Sequence, residues 1–366
     1  NFRRALHIEP RYAFAASWLF DLHFEDGELD EAGQALEKLR AADKGADALV
    51  RGVQWAAAKR DHDLAGQQLR QLCFVESDDW WPFHAALEAM NKAGWQPTAL
   101  AVLSAAIAQP HVAPRAGWCW ARLKVMQGEP PEEQELLALA ERGPLGDEAA
   151  YGYLDALGER NRKRAVRRFV NRHPDWLCRS TRVWGAAVYA LVATSAWPHA
   201  LRWARRWKEY QNLEGWMLYN VAEAFWYFQQ DAEAAEVHRH ALTLKPDGTY
   251  SPHLVRLACH ALNTGDVEQA GSYLQRVDAD SLPENMALLY QLARTTVELV
   301  PLAQQQRREA YRTAWPRICA AARAYKGLAR EVTVRRVWHQ SLWRLAKLVR
   351  TLPAWWRAIV WRIFDL

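Results

Sequence analysis

The amino-acid sequence predicts an all-α protein built as a solenoid of helix–turn–helix repeats. One observation is an alanine that recurs about every 34 residues inside an apolar helical pattern. The second is a glycine shortly before several of these alanines, which marks a turn between two helices. A small residue at such a position lets neighbouring helices approach closely. The recurring alanines are Ala32, Ala65, Ala99, Ala165, Ala200, Ala234 and Ala270.

The repeats predict three regions in chain order. Residues 1–10 look like the second helix of a repeat whose first helix precedes the chain, so we expect a fragment of a longer protein. Residues 11–282 hold about eight repeats. Residues 283–366 are expected to be capping helices, because the end of a stack must cover its last apolar face.

Two repeats depart from the pattern. Glu133 falls in the alanine position of the repeat at 113–145, so we expect a distorted or half-exposed helix there. The repeat at 146–178 is expected to have a short first helix followed by a strongly basic second helix.

The bulk composition excludes several classes of protein. Half of the residues are hydrophobic and the net charge is +5, as in an ordinary folded chain. The five cysteines are far apart and form no CxxC pair, which excludes a disulfide framework and a zinc ribbon and predicts reduced thiols in a cytoplasmic protein. We find neither a charge-free apolar run of about 18 residues nor a signal peptide. The excess of arginine over lysine and the high alanine content suggest a bacterial source.

The sequence resembles the tetratricopeptide repeat (TPR) family over residues 1 to about 282. The resemblance rests on the recurring alanine, the glycine before it, a large apolar residue four positions after it, and the closing Pro10 and Pro246. The Trp-Leu-Gly pattern of the family's first helix is mostly absent. The resemblance implies a right-handed superhelix whose first helices line a concave groove for a peptide or another protein. The Lys/Asn set of a carboxylate clamp is missing, which argues against a ligand of that kind.

Tryptophan is unusually frequent, at 20 residues, and most of these side chains are expected to fill gaps between helices. Placing each first helix against the family pattern predicts a subset of residues that face the groove. Aromatic residues with arginine are typical of buried recognition surfaces. The candidate partner-binding residues are Trp81, His84, Glu88, Arg115, Trp118, Arg122, Arg182, Tyr189, Trp216, Tyr219, Glu223 and Trp226.

The sequence carries no signature of catalysis. It lacks a P-loop, a dinucleotide-binding fingerprint, a zinc-protease motif and a nucleophile elbow. Four histidines, His238, His240, His253 and His260, lie in two adjacent repeats. We interpret them as packing or surface residues, since a metal site would need some of them to meet across helices. The sequence thus predicts a non-catalytic protein without a cofactor or metal.

We therefore predict a protein-interaction module, the recognition or assembly part of a larger protein. Two alternatives stay open. The basic segments 160–172 and 202–208 could bind nucleic acid. The basic, Trp-rich segment 331–366 is amphipathic, which suits a cap on the last repeat but also a membrane-surface anchor or a docking helix.

Overall fold

The computed structural model describes residues 1–43, 45–77, 79–244 and 250–304. These residues contain α-helices, one short 3-10 helix and no strand, which confirms the predicted all-α class. The chain divides into two compact units, Asn1–Thr194 and Ser195 onward. The predicted tail at 331–366, and most of the predicted cap, lie outside the described residues.

The first unit contains thirteen helices within its described residues. They are α1 (Phe2–Ile8), α2 (Ala13–Glu25), α3 (Leu29–Ala42), α4 (Ala46–Ala58), α5 (His62–Leu72), α6 (Trp81–Lys92), α7 (Gln96–Ile107), α8 (Pro114–Gln127), α9 (Glu133–Ala140), α10 (Pro144–Glu159), α11 (Lys163–Arg172), α12 (Pro174–Leu177) and α13 (Thr181–Ala193).

Helices α2 to α11 form five successive pairs. Within most pairs the two helices pack against each other, as α2 does on α3 and α4 on α5, whereas α9 packs on α10 rather than on α8. The first helices of successive pairs also lie side by side, in the order α2, α4, α6, α8, α10 and then α13. The first unit therefore presents one surface made of first helices, and this surface carries the candidate site.

The second unit also contains paired helices. Its helices are α14 (Trp197–Ala204), α15 (Gly215–Tyr227), α16 (Asp231–Thr243), α17 (Ser251–Thr264), α18 (Val267–Gln275) and α19 (Glu284–Gln304), with the 3-10 helix Trp207–Glu209 after α14. Helix α15 pairs with α16, α17 pairs with α18, and α19 packs on both helices of the last pair.

Left-handed turn residues reveal the repeat period directly in the backbone. Gly27 (φ 78°), Gly94 (φ 80°) and Gly265 (φ 88°) end the first helix of their pairs, in the conformation that glycine adopts most easily. The other first helices end in the same way, and four of them do so at a residue other than glycine. The equivalent residues are Arg60, Gly128, Asn161, Ser195 and Gln229, all with positive φ.

The alanine positions are buried where second helices pack. Ala32, Ala65, Ala99, Ala200, Ala234 and Ala270 are at most 5% exposed. Each is the fourth residue of its helix.

Two helices correct the predicted register. In α9 the fourth position holds Leu136, which is buried, while Glu133 is the half-buried first residue. In α11 the fourth position holds Val166, which is buried, and the Ala165 before it is half-buried. Both positions thus accept a larger side chain than the repeat pattern predicts. The first helix expected to be short, α10, is instead 16 residues long.

Helices α8 and α10 lie in close contact, and glycine makes this contact possible. A Cβ atom added to Gly152 would lie 2.2 Å from the backbone oxygen of Trp118, and one at Gly117 would lie 2.6 Å from that of Leu145. No side chain fits at these distances. The close packing that the sequence assigned to alanine in second helices is therefore provided here by glycine in first helices.

Candidate functional site

A groove opens on the first-helix surface of the first unit. Its volume is about 290 Å³, and it lies between the ends of α2, α4 and α6. Its apolar lining is mostly alanine, with one aromatic ring from α2. The lining residues are Phe24, Gln54, Ala57, Ala58, Arg60, Ala85, Glu88, Ala89, Lys92 and Ala93.

The spacing of alanine in the sequence explains the groove. Ala85, Ala89 and Ala93 recur every four residues, so they share one face of α6. Ala57 and Ala58 end α4 opposite that face. Because alanine has only a methyl group, neighbouring first helices leave space between them there.

The polar groups of the groove are held in place. The carboxylate of Glu88 forms an ion pair with Lys92, one turn later in α6, with 2.7 Å between Oε1 and Nζ. This pair lowers the pKa of Glu88. The guanidinium of Arg60 donates to the backbone oxygen of Ala93, at 3.3 Å. The groove therefore offers a cation, a carboxylate and the amide of Gln54 beside an apolar surface.

Elsewhere on this surface, arginine–carboxylate pairs join neighbouring first helices. Arg51 of α4 donates two hydrogen bonds to Asp21 of α2, at 2.9 and 2.7 Å, and pairs with Asp47 at 3.0 Å. Its guanidinium carbon lies 5.3 Å from the ring centroid of Trp81 in α6. Arg51 thus links three first helices.

A second set of pairs links α8, α10 and α13. Arg115 donates to both carboxylate oxygens of Glu148, at 3.0 and 2.9 Å, and Arg182 pairs with the same carboxylate at 2.9 Å. Burial raises the pKa of Glu148, although both guanidinium groups oppose the shift. The carboxylate is shared by two arginines, so none of the three groups is available to a partner without breaking a buried pair.

A third set lies one to two turns further along the same helices. Arg122 pairs with Asp155 at 2.6 Å and with Glu159 at 2.8 Å, and its guanidinium lies 5.4 Å from the ring centroid of Trp118. Burial raises the pKa of Asp155 to about 6, against the attraction of Arg122. Burial also raises the pKa of Tyr189 to about 12.

The second unit has an equivalent pair between α15 and α17. Arg256 pairs with Glu223 at 2.7 Å, and its guanidinium carbon lies only 3.6 Å from the ring centroid of Trp226. Tyr219 contacts the sulfur of Met286, and the indole of Trp216 donates to Glu214 at 3.0 Å.

Nine of the twelve predicted partner-binding residues lie in three settings. Glu88 is exposed in the groove, and Trp81 and His84 are half-buried on the same helix. Arg115, Arg122 and Arg182 are held in ion pairs between helices, whereas Tyr189, Trp216 and Tyr219 are half-buried.

The other three predicted residues are buried, which corrects the expectation that their side chains face the groove. Trp118, Glu223 and Trp226 are each less than 10% exposed, because adjacent first helices and a stacked guanidinium cover them. Partner binding by the twelve residues stays a prediction.

The groove was not predicted from the sequence, and one or both members of each ion pair between first helices were also missed. Arg51, Glu148 and Asp155 were not singled out, although Glu148 lies 33 residues after Arg115, as the repeat period requires. That spacing of opposite charges is a signal in the sequence. The alanines of α6 give a weaker one, because a run of alanine every four residues also suits a buried helix.

Two of the four clustered histidines do meet across helices. His238 of α16 and His253 of α17 lie 2.8 Å apart at their Nδ1 atoms, and His253 Nε2 donates to the backbone oxygen of Gly215 at 3.1 Å. His253 Nδ1 is then the acceptor, so the Nδ1–H of His238 donates. Burial lowers the pKa of both rings, that of His253 to about 4. The described residues contain no group of three or more side chains suited to a metal.

The two predicted basic segments differ. On α11, Arg164, Arg167 and Arg168 are exposed. In the segment 202–208, Trp203 and Trp207 are buried rather than exposed between the basic residues. Lys208 pairs there with Glu236 at 2.6 Å, and Arg206 pairs with Glu209 at 2.8 Å. The expected stripe of exposed aromatic and basic residues is therefore absent from that segment. None of the helices in the described ranges is long and apolar enough to cross a membrane.

Comparisons with known proteins return similarity of structure alone. No protein-family model matches the sequence, and no curated protein matches it. Similar solved structures include the APC/C hetero-tetramer Cut9–Hcn1, with 13% identity, 100% of this chain and 86% of that chain covered, and a TM-score of 0.35. The P58(IPK) TPR domain has 11% identity, 94% and 92% coverage and a TM-score of 0.23. A circular tandem repeat protein has 15% identity, 99% and 95% coverage and a TM-score of 0.19.

The fold itself rests on features of this chain. Paired helices, a left-handed residue after each first helix and buried small residues in the second helices recur with the period of the TPR class. The protein therefore has a TPR-like helical-repeat fold.

Proposed function

We propose that this protein is a non-catalytic protein-interaction module that binds a segment of a partner protein on its first-helix surface. The groove between α2, α4 and α6 carries the proposal. The module would serve as the recognition or assembly part of a larger protein. A cytoplasmic setting suits the buried thiols of Cys73 and Cys119, which form no disulfide, and the excess of arginine over lysine suits a bacterial source.

The chemistry of the groove supports this proposal. Alanine side chains give a shallow apolar surface that one or two side chains of a partner can fill. Gln54, Arg60 and Glu88 can fix the partner's orientation through hydrogen bonds, which is how a few polar groups confer specificity on an apolar site.

The ion pairs on the same surface support the proposal indirectly. The pairs of Arg51 with Asp21 and of Arg115 with Glu148 hold neighbouring first helices in fixed register. A partner that enters the groove then meets a preformed surface, so little free energy is spent on ordering it. We assign these arginines to the support of the site rather than to direct contact.

A groove-filling substitution tests the proposal. A random 16-residue peptide library is selected against the native protein, and the affinity of the selected peptides is measured for Ala89→Trp, whose indole would occupy the groove. Ala105→Trp is the matched control, because Ala105 is exposed on α7, a second helix.

We expect the peptides to bind Ala89→Trp at least tenfold more weakly and Ala105→Trp as tightly as the native protein. Circular dichroism checks that both variants keep native helicity. Selected peptides that bind both variants with native affinity would contradict the proposed site.

A further inference from the structure

Helix α11 carries three exposed arginines close together in the sequence. Arg164, Arg167 and Arg168 are exposed and make no hydrogen bond or ion pair within the described residues. Arginines of the first helices, such as Arg51 and Arg122, are instead paired with carboxylates. The positive charge of α11 is therefore available to a ligand.

The charge arrangement on α11 is unfavourable without an anion. Arg164 and Arg168 are four residues apart and Arg164 and Arg167 are three apart, so like charges are neighbours on one helix face. The first turn contains no acidic residue, although the N-terminal end of a helix favours negative charge. At the other end, Arg172 and His173 already share Glu133. A bound anion would relieve the repulsion in the first two turns.

The apolar residues of α11 decide which kind of anion fits. Val166, Phe169 and Val170 are all buried against the unit. The exposed face therefore lacks the apolar and aromatic anchors on which protein interfaces centre. Interfaces with nucleic acid are more polar and much more positive, and the guanidinium fork matches a phosphate.

We propose that the exposed face of α11 binds the phosphate backbone of nucleic acid without reading its sequence. No aromatic side chain on this face is exposed to stack on a base, and stacking is what adds affinity in other single-strand binders. The site is separate from the α2–α4–α6 groove, and either can fail without the other.

The test measures binding of a fluorescein-labelled 20-nucleotide oligouridylate by anisotropy. Three phosphate contacts predict a slope of roughly −2 for log affinity against log salt, so affinity should fall about 20-fold between 50 and 200 mM salt. Arg164→Glu with Arg168→Glu should weaken binding at least tenfold at 50 mM salt.

The matched control is Arg4→Glu with Arg11→Glu. Both residues are exposed near the N-terminal end, and the change in net charge is the same. The control should keep native affinity, and thermal melts check that both variants fold. The proposal is overturned if the oligonucleotide does not bind at 50 mM salt, or if both double variants weaken binding equally. Tighter binding of 20-residue polyglutamate than of oligouridylate would overturn it in favour of an acidic protein segment.

Discussion

Replacing Gly152 with alanine should destabilise the first unit through one added methyl group. The new Cβ would lie 2.2 Å from the backbone oxygen of Trp118 and 2.8 Å from its Cα. Normal contact starts near 3.4 Å, so α8 and α10 must separate by about 1 Å. The pairs of Arg115 with Glu148 and of Arg122 with Asp155 lie on either side of this contact, and both would lengthen.

The magnitude follows from opposing effects. Alanine in a helix interior is favoured over glycine by about 1 kcal/mol, whereas overpacking costs about 1–3 kcal/mol and strained buried ion pairs add to that cost. We expect a net loss of about 2 kcal/mol, which lowers the melting temperature by about 4–8 °C for a unit of this size.

The assay is urea unfolding followed by circular dichroism, with Gly66→Ala as the control. Gly66 also lies inside a helix, but a Cβ there would meet nothing closer than 3.8 Å. The control should be neutral or more stable by up to about 1 kcal/mol. Equal effects of the two substitutions would refute the reasoning, since they would show that α8 and α10 do not touch at Gly152.

Two further predictions concern the turns and the histidine pair. Gly27→Ala should lower the free energy of unfolding by about 1–2 kcal/mol, because alanine is strained in the left-handed conformation although its Cβ would meet no neighbour. Gln229→Gly, at an equivalent turn, should not lower stability. Urea melts that show Gly27→Ala to be neutral would contradict this expectation. The pKa of His253 falls to about 4 through burial, so the unfolded chain binds more protons between pH 6.5 and 4 and stability drops as the pH falls through that window. From His253 alone we expect a loss of about 2 kcal/mol between pH 7 and pH 5, and the buried His238 adds to it. His253→Gln should remove the His253 contribution, whereas exposed His62→Gln should not, and identical pH profiles for the two variants would refute the assignment.

The repeat pattern was readable from the sequence because it depends on local chemistry. Alanines such as Ala32 and Ala99 sit at one fixed position of each second helix, and the helical period alone reveals that position. The left-handed turn was visible only where glycine fills it, as at Gly27, and not where Arg60 or Gln229 does.

The site was harder to predict because it depends on which helices are neighbours. Whether Arg115 faces a partner or Glu148 is decided by the distance between α8 and α10, which Gly152 sets. Likewise, the tryptophan excess could not distinguish the half-buried Trp81 from the buried Trp118. The basic character of α11 was visible, but the absence of acidic partners for Arg164 in the described residues required the fold.

Hydrogen exchange of the protein with and without a selected peptide tests the proposed interaction site most directly. Our account predicts slower exchange of backbone amides in α4 and α6, Ala46–Ala58 and Trp81–Lys92, with α11 unchanged. The Ala89→Trp variant should lose this protection. Protection confined to α11, to the second unit, or to residues outside the described ranges would contradict the claim that the alanine-lined groove is where a partner binds.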